Sequence, residues 1–213
     1  MKLGDFTVSW VDFAVLLIVL AGIFRGRKRG MSEELLDTIK WVGILVVAAV
    51  FHRPLGEWLA NSTMFSLLAC YIFVYTMIIV IFKVIFAFVR RQIGDKLVSS
   101  DFFGSAEYYL GMVAGGFRYT CAIIVALAFI NARYYSPEEL TASRNFQETN
   151  FGDIRFPTFA GFQSQVFGRS VTGKLATDFL WPVLIPSTPP EQKDLAGANN
   201  VVRAREKQID QIR

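Results

Sequence analysis

Long apolar runs fill the first part of this chain and constrain its fold more than any other feature. They lie within residues 8–130, whereas residues 132–213 have the composition of ordinary polar sequence. A helix that crosses a membrane needs about 20 mostly apolar residues, because its backbone must satisfy its own hydrogen bonds in lipid. Hydrophobic residues make up 53% of the sequence, a high share for a soluble chain of this size. The pattern predicts an all-α membrane domain over residues 1–131 and an extramembrane tail over residues 132–213.

Four segments are candidates for membrane-spanning helices. The predicted spans are residues 8–24, 33–51, 64–89 and 108–130. The second has a short apolar run, which reaches spanning length only if its helix begins near Ser32, where Ser-Glu-Glu is typical of a helix start. A re-entrant segment is the alternative for this run. The first run differs from a cleaved signal peptide, because it carries Asp5 and Asp12 and a basic cluster follows it.

Basic residues in the short loops predict the orientation. The loop after the first span and the loop after the third span hold most of them, namely Arg25, Arg27, Lys28, Arg29 and Lys40, then Arg90, Arg91 and Lys96. Lysine and arginine are enriched in short cytoplasmic loops. Both termini, and the tail with them, are therefore expected outside the cytoplasm. The net charge of +4 is explained by these membrane flanks, so nucleic acid is not an expected partner.

Arg118 lies inside an apolar run, where a charge is costly and usually functional or paired. At a rise of about 1.5 Å per residue, Asp12 is about 20 Å and Arg118 about 16 Å from the cytoplasmic edge. The similar depth predicts an intramembrane ion pair between them. The alternative places Asp12 in the outer interface and Arg118 against water or backbone carbonyls. Lys83 lies close enough to the edge to extend its amine into the headgroups.

Glycines with four-residue spacing occur on two of the predicted helices. Gly111 and Gly115 form one such pair, and Gly22 and Gly26 form another. Glycine lets helix backbones approach closely in lipid. These residues are predicted to pack helices together, either within one chain or between chains.

Residue patterns for catalysis, cofactors or metals do not stand out. The sequence of residues 168–174 is similar to a phosphate-binding loop, but Leu175 occupies the position where a magnesium-binding Ser or Thr is required. His52 is the single histidine and the two cysteines are isolated, so a metal site is not expected. Cys70 and Cys121 both lie in apolar runs, so a disulfide framework is not expected either. Within the tail, apolar residues recur at helical spacing over about 158–181. They predict an amphipathic helix, either on the membrane surface or packed on the membrane domain or a small core of its own.

Two motifs resemble those of the colicin V production protein (CvpA) family. The segment FRGRKRGMSEELL, residues 24–36, carries the first, and the second begins at residue 107. The matching residues are Arg25, Gly26, Gly30 and Glu34, then Glu107, Leu110, Gly111, Gly115 and Arg118. The chain departs from the family pattern at Glu33, Tyr108 and Tyr119. The resemblance covers about residues 8–135 and implies a multi-pass protein of the bacterial inner membrane, linked to toxin production or export and to envelope homeostasis.

These observations favour a non-enzymatic accessory or scaffold protein that uses no cofactor. Its expected partners are membrane lipid and either further copies of itself or a protein of secretion or the envelope. A small transporter or channel subunit is the alternative, with a polar path through Asp12, Lys83 and Arg118. The two hypotheses differ in whether water reaches these residues.

Overall fold

The structure, a computed structural model, describes residues 9–98, 104–152 and 158–188. In chain order the helices are α1 Trp10–Ser62, α2 Leu67–Val98, α3 Glu107–Asn131, α4 Pro137–Phe151, α5 Phe159–Ser164 and α6 Val171–Phe179. A short 3-10 turn, Gly104–Ala106, precedes α3, and a π-helical turn, Gln165–Arg169, follows α5. Within the described ranges, the β-structure is one isolated bridge between Arg133 and Thr188. The predicted all-α fold class is confirmed.

Three helices of the described chain are long and apolar enough to cross a membrane. They are α1, the stretch Leu67–Gln92 of α2, and α3. The third and fourth predicted spans coincide with α2 and α3. Residues 10–24 of the first predicted span, 8–24, and the whole of the second, 33–51, lie in α1, and residue 8 lies outside the described residues. The described chain therefore has three long apolar helices where four separate ones were expected.

Gly30 divides α1 into two arms. Its backbone has φ 77° and ψ 169°, a conformation that is available almost only to glycine. We call residues 10–29 the first arm and residues 31–62 the second arm. A single residue therefore replaces the loop that was expected between the first two spans.

Both arms lie along the same stretch of α3. A Cβ atom added to Gly22, in the first arm, would be 2.9 Å from the carbonyl oxygen of Gly115. The hydroxyl of Thr38, in the second arm, donates to the carbonyl oxygen of Ala114 at 3.4 Å. In an unbroken helix, residues 22 and 38 would be about 24 Å apart. Since they reach neighbouring residues of α3, α1 is a helical hairpin with its turn at Gly30.

The first arm and α3 touch through their backbones. A Cβ atom on Gly111 would lie 2.6 Å from the carbonyl oxygen of Gly26, and one on Gly26 would overlap the Gly111 carbonyl. These are the glycines that the sequence marks for close packing, and here the packing is within one chain. On the other side of the hairpin the contact is made by a side chain instead of the backbone, because the ring of Phe82 in α2 packs on Gly43.

The outer surfaces of the long helices are apolar and exposed. Exposed side chains include Leu17, Val80, Phe88, Val113 and Phe117. Contiguous apolar surface of this kind is a liability in water and is expected of surfaces that meet lipid or another protein. The buried core lies between the second arm, α2 and α3, where the ring of Tyr75 packs edge-on against those of His52 and Phe129.

The described residues 158–188 of the tail pack across the end of the bundle that is opposite Gly30. The single amphipathic helix predicted for 158–181 is wrong: α5, the π-helical turn and α6 replace it. The break is at Ser170, whose backbone is extended (φ −83°, ψ 146°) and whose hydroxyl accepts from the backbone N–H of Gly173 to cap α6. Gly173 is needed there because a Cβ atom would overlap the carbonyl of Val166. Of the locations considered for this segment, the structure has it packed on the membrane domain.

Candidate functional site: an ion cluster beside the hairpin turn

Two acidic side chains of the second arm point into the bundle. Glu34 and Asp37 are one helical turn apart, so they share a face of the helix, and that face is turned toward α3. Glu34 is completely buried (0% exposed). The side chain of Asp37 retains 14% exposure. Buried carboxylates are costly unless a cation is close, so the partner of these two acids defines the site.

Arg118 of α3 is that partner. Its Nη1 atom lies 3.1 Å from Oε2 of Glu34 and donates a hydrogen bond of 2.9 Å to Oδ2 of Asp37. The guanidinium also lies over the ring of Tyr119, 5.1 Å from its centroid. Arg118 is buried, and its charge is compensated from the second arm.

The predicted ion pair between Asp12 and Arg118 is therefore wrong. Gly26 faces Gly111 in an antiparallel crossing, so Arg118, seven residues further along α3, is level with residue 19. Asp12 lies about 10 Å beyond that level. The depth estimate failed because the first arm runs to residue 29, past the edge from which the depth of Asp12 was measured.

Further ion pairs extend the site toward the turn through Arg29 and away from it through Lys40. Arg29 lies 3.5 Å from Glu34 and 3.7 Å from Asp37, measured from its Nη1 atom to the nearest carboxylate oxygens. Lys40 lies 2.6 Å from Asp37, and Glu33 is 4.0 Å from Arg29. The turn cluster is Arg29, Glu33, Glu34, Asp37, Lys40 and Arg118. Its formal charges sum to zero, which keeps a buried ionic group tolerable in a low-dielectric environment.

Glu107, the first residue of α3, secures the hairpin turn. Its Oε1 atom accepts the backbone N–H of Ser32 at 3.0 Å, and its side chain packs against Gly30. The first N–H groups of a helix have no partner within the helix, so Glu107 provides one for the second arm. The arms and α3 are thereby joined at the turn, at Arg118 and at the glycine crossing.

Asp12 has a different role at the opposite end of the bundle. Its Oδ1 atom accepts the backbone N–H and the hydroxyl of Thr172 at 2.9 and 2.8 Å, and its Oδ2 atom accepts the N–H groups of Val171 and Ser9 at 3.1 and 2.9 Å. A carboxylate is favourable at the N-terminus of a helix, here α6, because of the helix dipole. Asp12 thus holds the tail on the first arm.

The sequence-predicted polar residues do not converge on one path. Asp12 lies under the tail, Arg118 lies in the turn cluster, and Lys83 is exposed on α2. Asp37 was not singled out from the sequence, although its one-turn spacing from Glu34 was a usable signal, and Arg29 and Lys40 were named only as basic residues that predict the orientation. Arg25, which the family motif includes, is exposed on the first arm.

The described part of the turn cluster consists of ion pairs between side chains of the hairpin and α3. Among the described residues there is no group of three or more His, Cys, Asp or Glu side chains that could hold a metal ion. The carboxylates of Glu34 and Asp37 already face cations, and His52 is buried apart from them with its Nδ1 atom against the carbonyl of Ala48. The turn cluster joins the second arm to α3 through ion pairs.

Comparison with known proteins identifies the chain at the level of its family. The model of the family described as colicin V production protein matches residues 11–149. No curated protein and no solved structure matches the chain. The matched segment contains both arms, α2, α3 and nearly all of α4, and with them the whole turn cluster. With three helices apolar enough to span a bilayer, this chain is a membrane protein that belongs to the colicin V production protein family.

Proposed function

We propose that this protein is a non-enzymatic scaffold of the bacterial inner membrane, accessory to toxin production or export or to envelope homeostasis. In this proposal the first arm, the second arm, α2 and α3 cross the membrane, which gives four crossings from three helices. The hairpin at Gly30 supports this count, because both arms run along α3. The turn and the basic residues beside it face the cytoplasm, and the tail lies outside.

The turn cluster is the observation that carries the scaffold function. Its acids and cations compensate one another, and Arg118, Cys121 and Val125, which share one face of α3, are buried. A polar path requires charged groups that water and a substrate can reach. The described interior instead contains paired charges and packed apolar side chains, which suits a rigid membrane platform.

Accessibility of Cys121 tests this function directly. A Cys70→Ser variant leaves Cys121, which is 2% exposed, as the sole thiol. We expect no labelling by a membrane-impermeant maleimide in native membranes and full labelling after denaturation in detergent. A matched variant that carries Thr149→Cys on the exposed face of α4, with both native cysteines replaced by serine, should be labelled at once. Labelling of both thiols at similar rates would favour the transporter alternative.

The arrangement in the membrane has its own test. A phosphatase that is active only outside the cytoplasm should be active when fused after Arg213 and inactive when fused after Arg91. The opposite pattern would overturn the orientation. Affinity purification from gently solubilised membranes should then recover an envelope or secretion protein with the chain, as an accessory role requires.

A further inference from the structure

A groove opens between the first arm and α3, outside the glycine crossing and next to the hairpin turn. It encloses about 540 Å³. The aromatic–basic groove is lined by Phe24, Arg27, Lys28, Tyr108, Tyr109 and Met112. It exists because Gly26 and Gly111 bring the two backbones together, while the large side chains on either side of them project outward.

The charge in this groove is unbalanced, unlike that of the turn cluster. Arg27 and Lys28 are exposed, and neither forms a salt bridge with any residue that the structure describes. None of the described lining residues is acidic. The nearest acid along α3, Glu107, is occupied by the backbone N–H of Ser32. The groove therefore presents two free cations to an anion.

The apolar side of the groove continues along both helices. Below Tyr109, the side chains of Val113 (71% exposed) and Phe117 (51% exposed) follow on the same face of α3. Below Phe24, Leu20 and Leu17 follow on the first arm. The helical spacing of these residues produces an exposed apolar track that begins one turn from the cations. A ligand that fits has an anionic head and a long apolar chain.

We propose that this groove binds an anionic phospholipid of the surrounding leaflet, with the phosphate between Arg27 and Lys28 and an acyl chain along the apolar track. Basic pockets between helices at the cytoplasmic side suit anionic headgroups, and tyrosines prefer the headgroup level. An acidic peptide would match the two cations but would leave the track beneath them unused. The proposal rests on the membrane placement given above.

Lipid titration of the purified full-length protein tests the site. Delipidated protein in detergent is titrated with phosphatidylglycerol or with phosphatidylcholine of identical chains, and bound lipid is counted by native mass spectrometry. Each cation contributes about fivefold to binding, so Arg27→Gln with Lys28→Gln should weaken phosphatidylglycerol binding about 25-fold. The matched control is Arg90→Gln with Arg91→Gln, which removes the same charge from α2 and should leave binding unchanged.

Three results would overturn the proposal. Equal binding of the two lipids by the native protein would remove the anion preference, and an equal loss in both double variants would show diffuse surface attraction. If glycerol phosphate or an acidic peptide displaced the lipid when present at the same concentration as the lipid, the apolar track would contribute nothing to binding. Circular dichroism checks that the variants are folded. Because the titration uses solubilised protein, its failure is distinct from a failure of the fusion or thiol experiments.

Discussion

At the turn end of the bundle, charged side chains join the second arm to α3, whereas at the tail end hydrogen bonds join the tail to α1 and α3. The turn end contains the turn cluster, with Glu34 completely buried. At the tail end, Asp12 receives N–H groups of α6, Trp10 donates to Gln165 at 2.6 Å, and Asn131 donates to the carbonyl of Ile185 at 3.0 Å.

The two ends therefore respond differently to loss of one partner. Removing a cation from the turn end leaves buried carboxylates that water cannot solvate. Removing a contact from the tail end exposes polar groups that can bind water instead. The family match covers the turn end, and it ends at residue 149, before α5 and α6. The matched residues include the turn cluster and also Asp12 and Asn131 of the tail end.

The largest expected effect is the loss of Arg118. Arg118→Ala leaves Glu34 and Asp37 beside Arg29 and Lys40, which are further from the interior. Breaking a buried ion pair from one side costs about 3–5 kcal/mol. The free energy of unfolding, measured by denaturant titration in detergent micelles, should fall by about that amount.

Double variants decide which acid Arg118 meets. Glu34→Gln with Arg118→Gln removes one charge of each sign and should recover much of the loss, since contacting residues couple in a double-mutant cycle. Asp12→Asn with Arg118→Gln should be additive, because those two residues have separate partners. Coupling between Asp12 and Arg118, together with additivity between Glu34 and Arg118, would contradict the pairing of Arg118 with Glu34.

A smaller effect is expected at the glycine crossing, which the turn end needs for its close approach. Gly26→Ala places a methyl group on the carbonyl of Gly111, so the backbones must separate. Overpacking of this kind costs about 1–3 kcal/mol, measurable as a lower melting temperature. Gly168→Ala is the matched control, because nothing lies within 4 Å of its added Cβ atom. Equal stability of both variants would show that the crossing tolerates a wider spacing.

The smallest effect is expected at the tail end. Asp12→Ala removes the acceptor for Val171 and Thr172. Asp12 is only partly buried, so these hydrogen bonds can be exchanged with water at a small net cost. Water replaces them in part, so the bundle should melt almost as before while limited proteolysis cuts the tail faster. Asp178→Ala, at an exposed position of α6, should leave the cleavage rate unchanged. A global loss of stability in Asp12→Ala would remove the distinction between the ends.

Some of this architecture was predictable from the sequence and some was not. The apolar runs predicted the start of α2 to within three residues and both ends of α3 to within one residue, because the length of an apolar run is visible in the local sequence. The hairpin was missed because Gly30, next to a basic run, is typical of a loop, and the positive φ that makes it a one-residue turn is not visible in the local sequence. Four apolar segments were predicted to be separate helices, whereas the described chain has three long apolar helices, because the first two segments are joined in α1.

The candidate site was predicted in part. Arg118 stood out because an arginine in an apolar run needs a partner, and Glu34 was marked by the family motif. Their pairing was missed because it depends on the register between α1 and α3, which the glycine contacts fix in three dimensions. Ser170 likewise ends the predicted tail helix through an extended backbone that helical periodicity does not reveal.

The zero net charge of the turn cluster also determines how the cluster responds to a membrane potential. An elementary charge that moves across 100 mV gains or loses about 2.3 kcal/mol. The three cations and three acids of the cluster have no net charge, so in the proposed membrane placement a uniform field exerts no net force on the cluster as a whole. A translation of the bundle in response to the potential would have to come from charges outside the cluster.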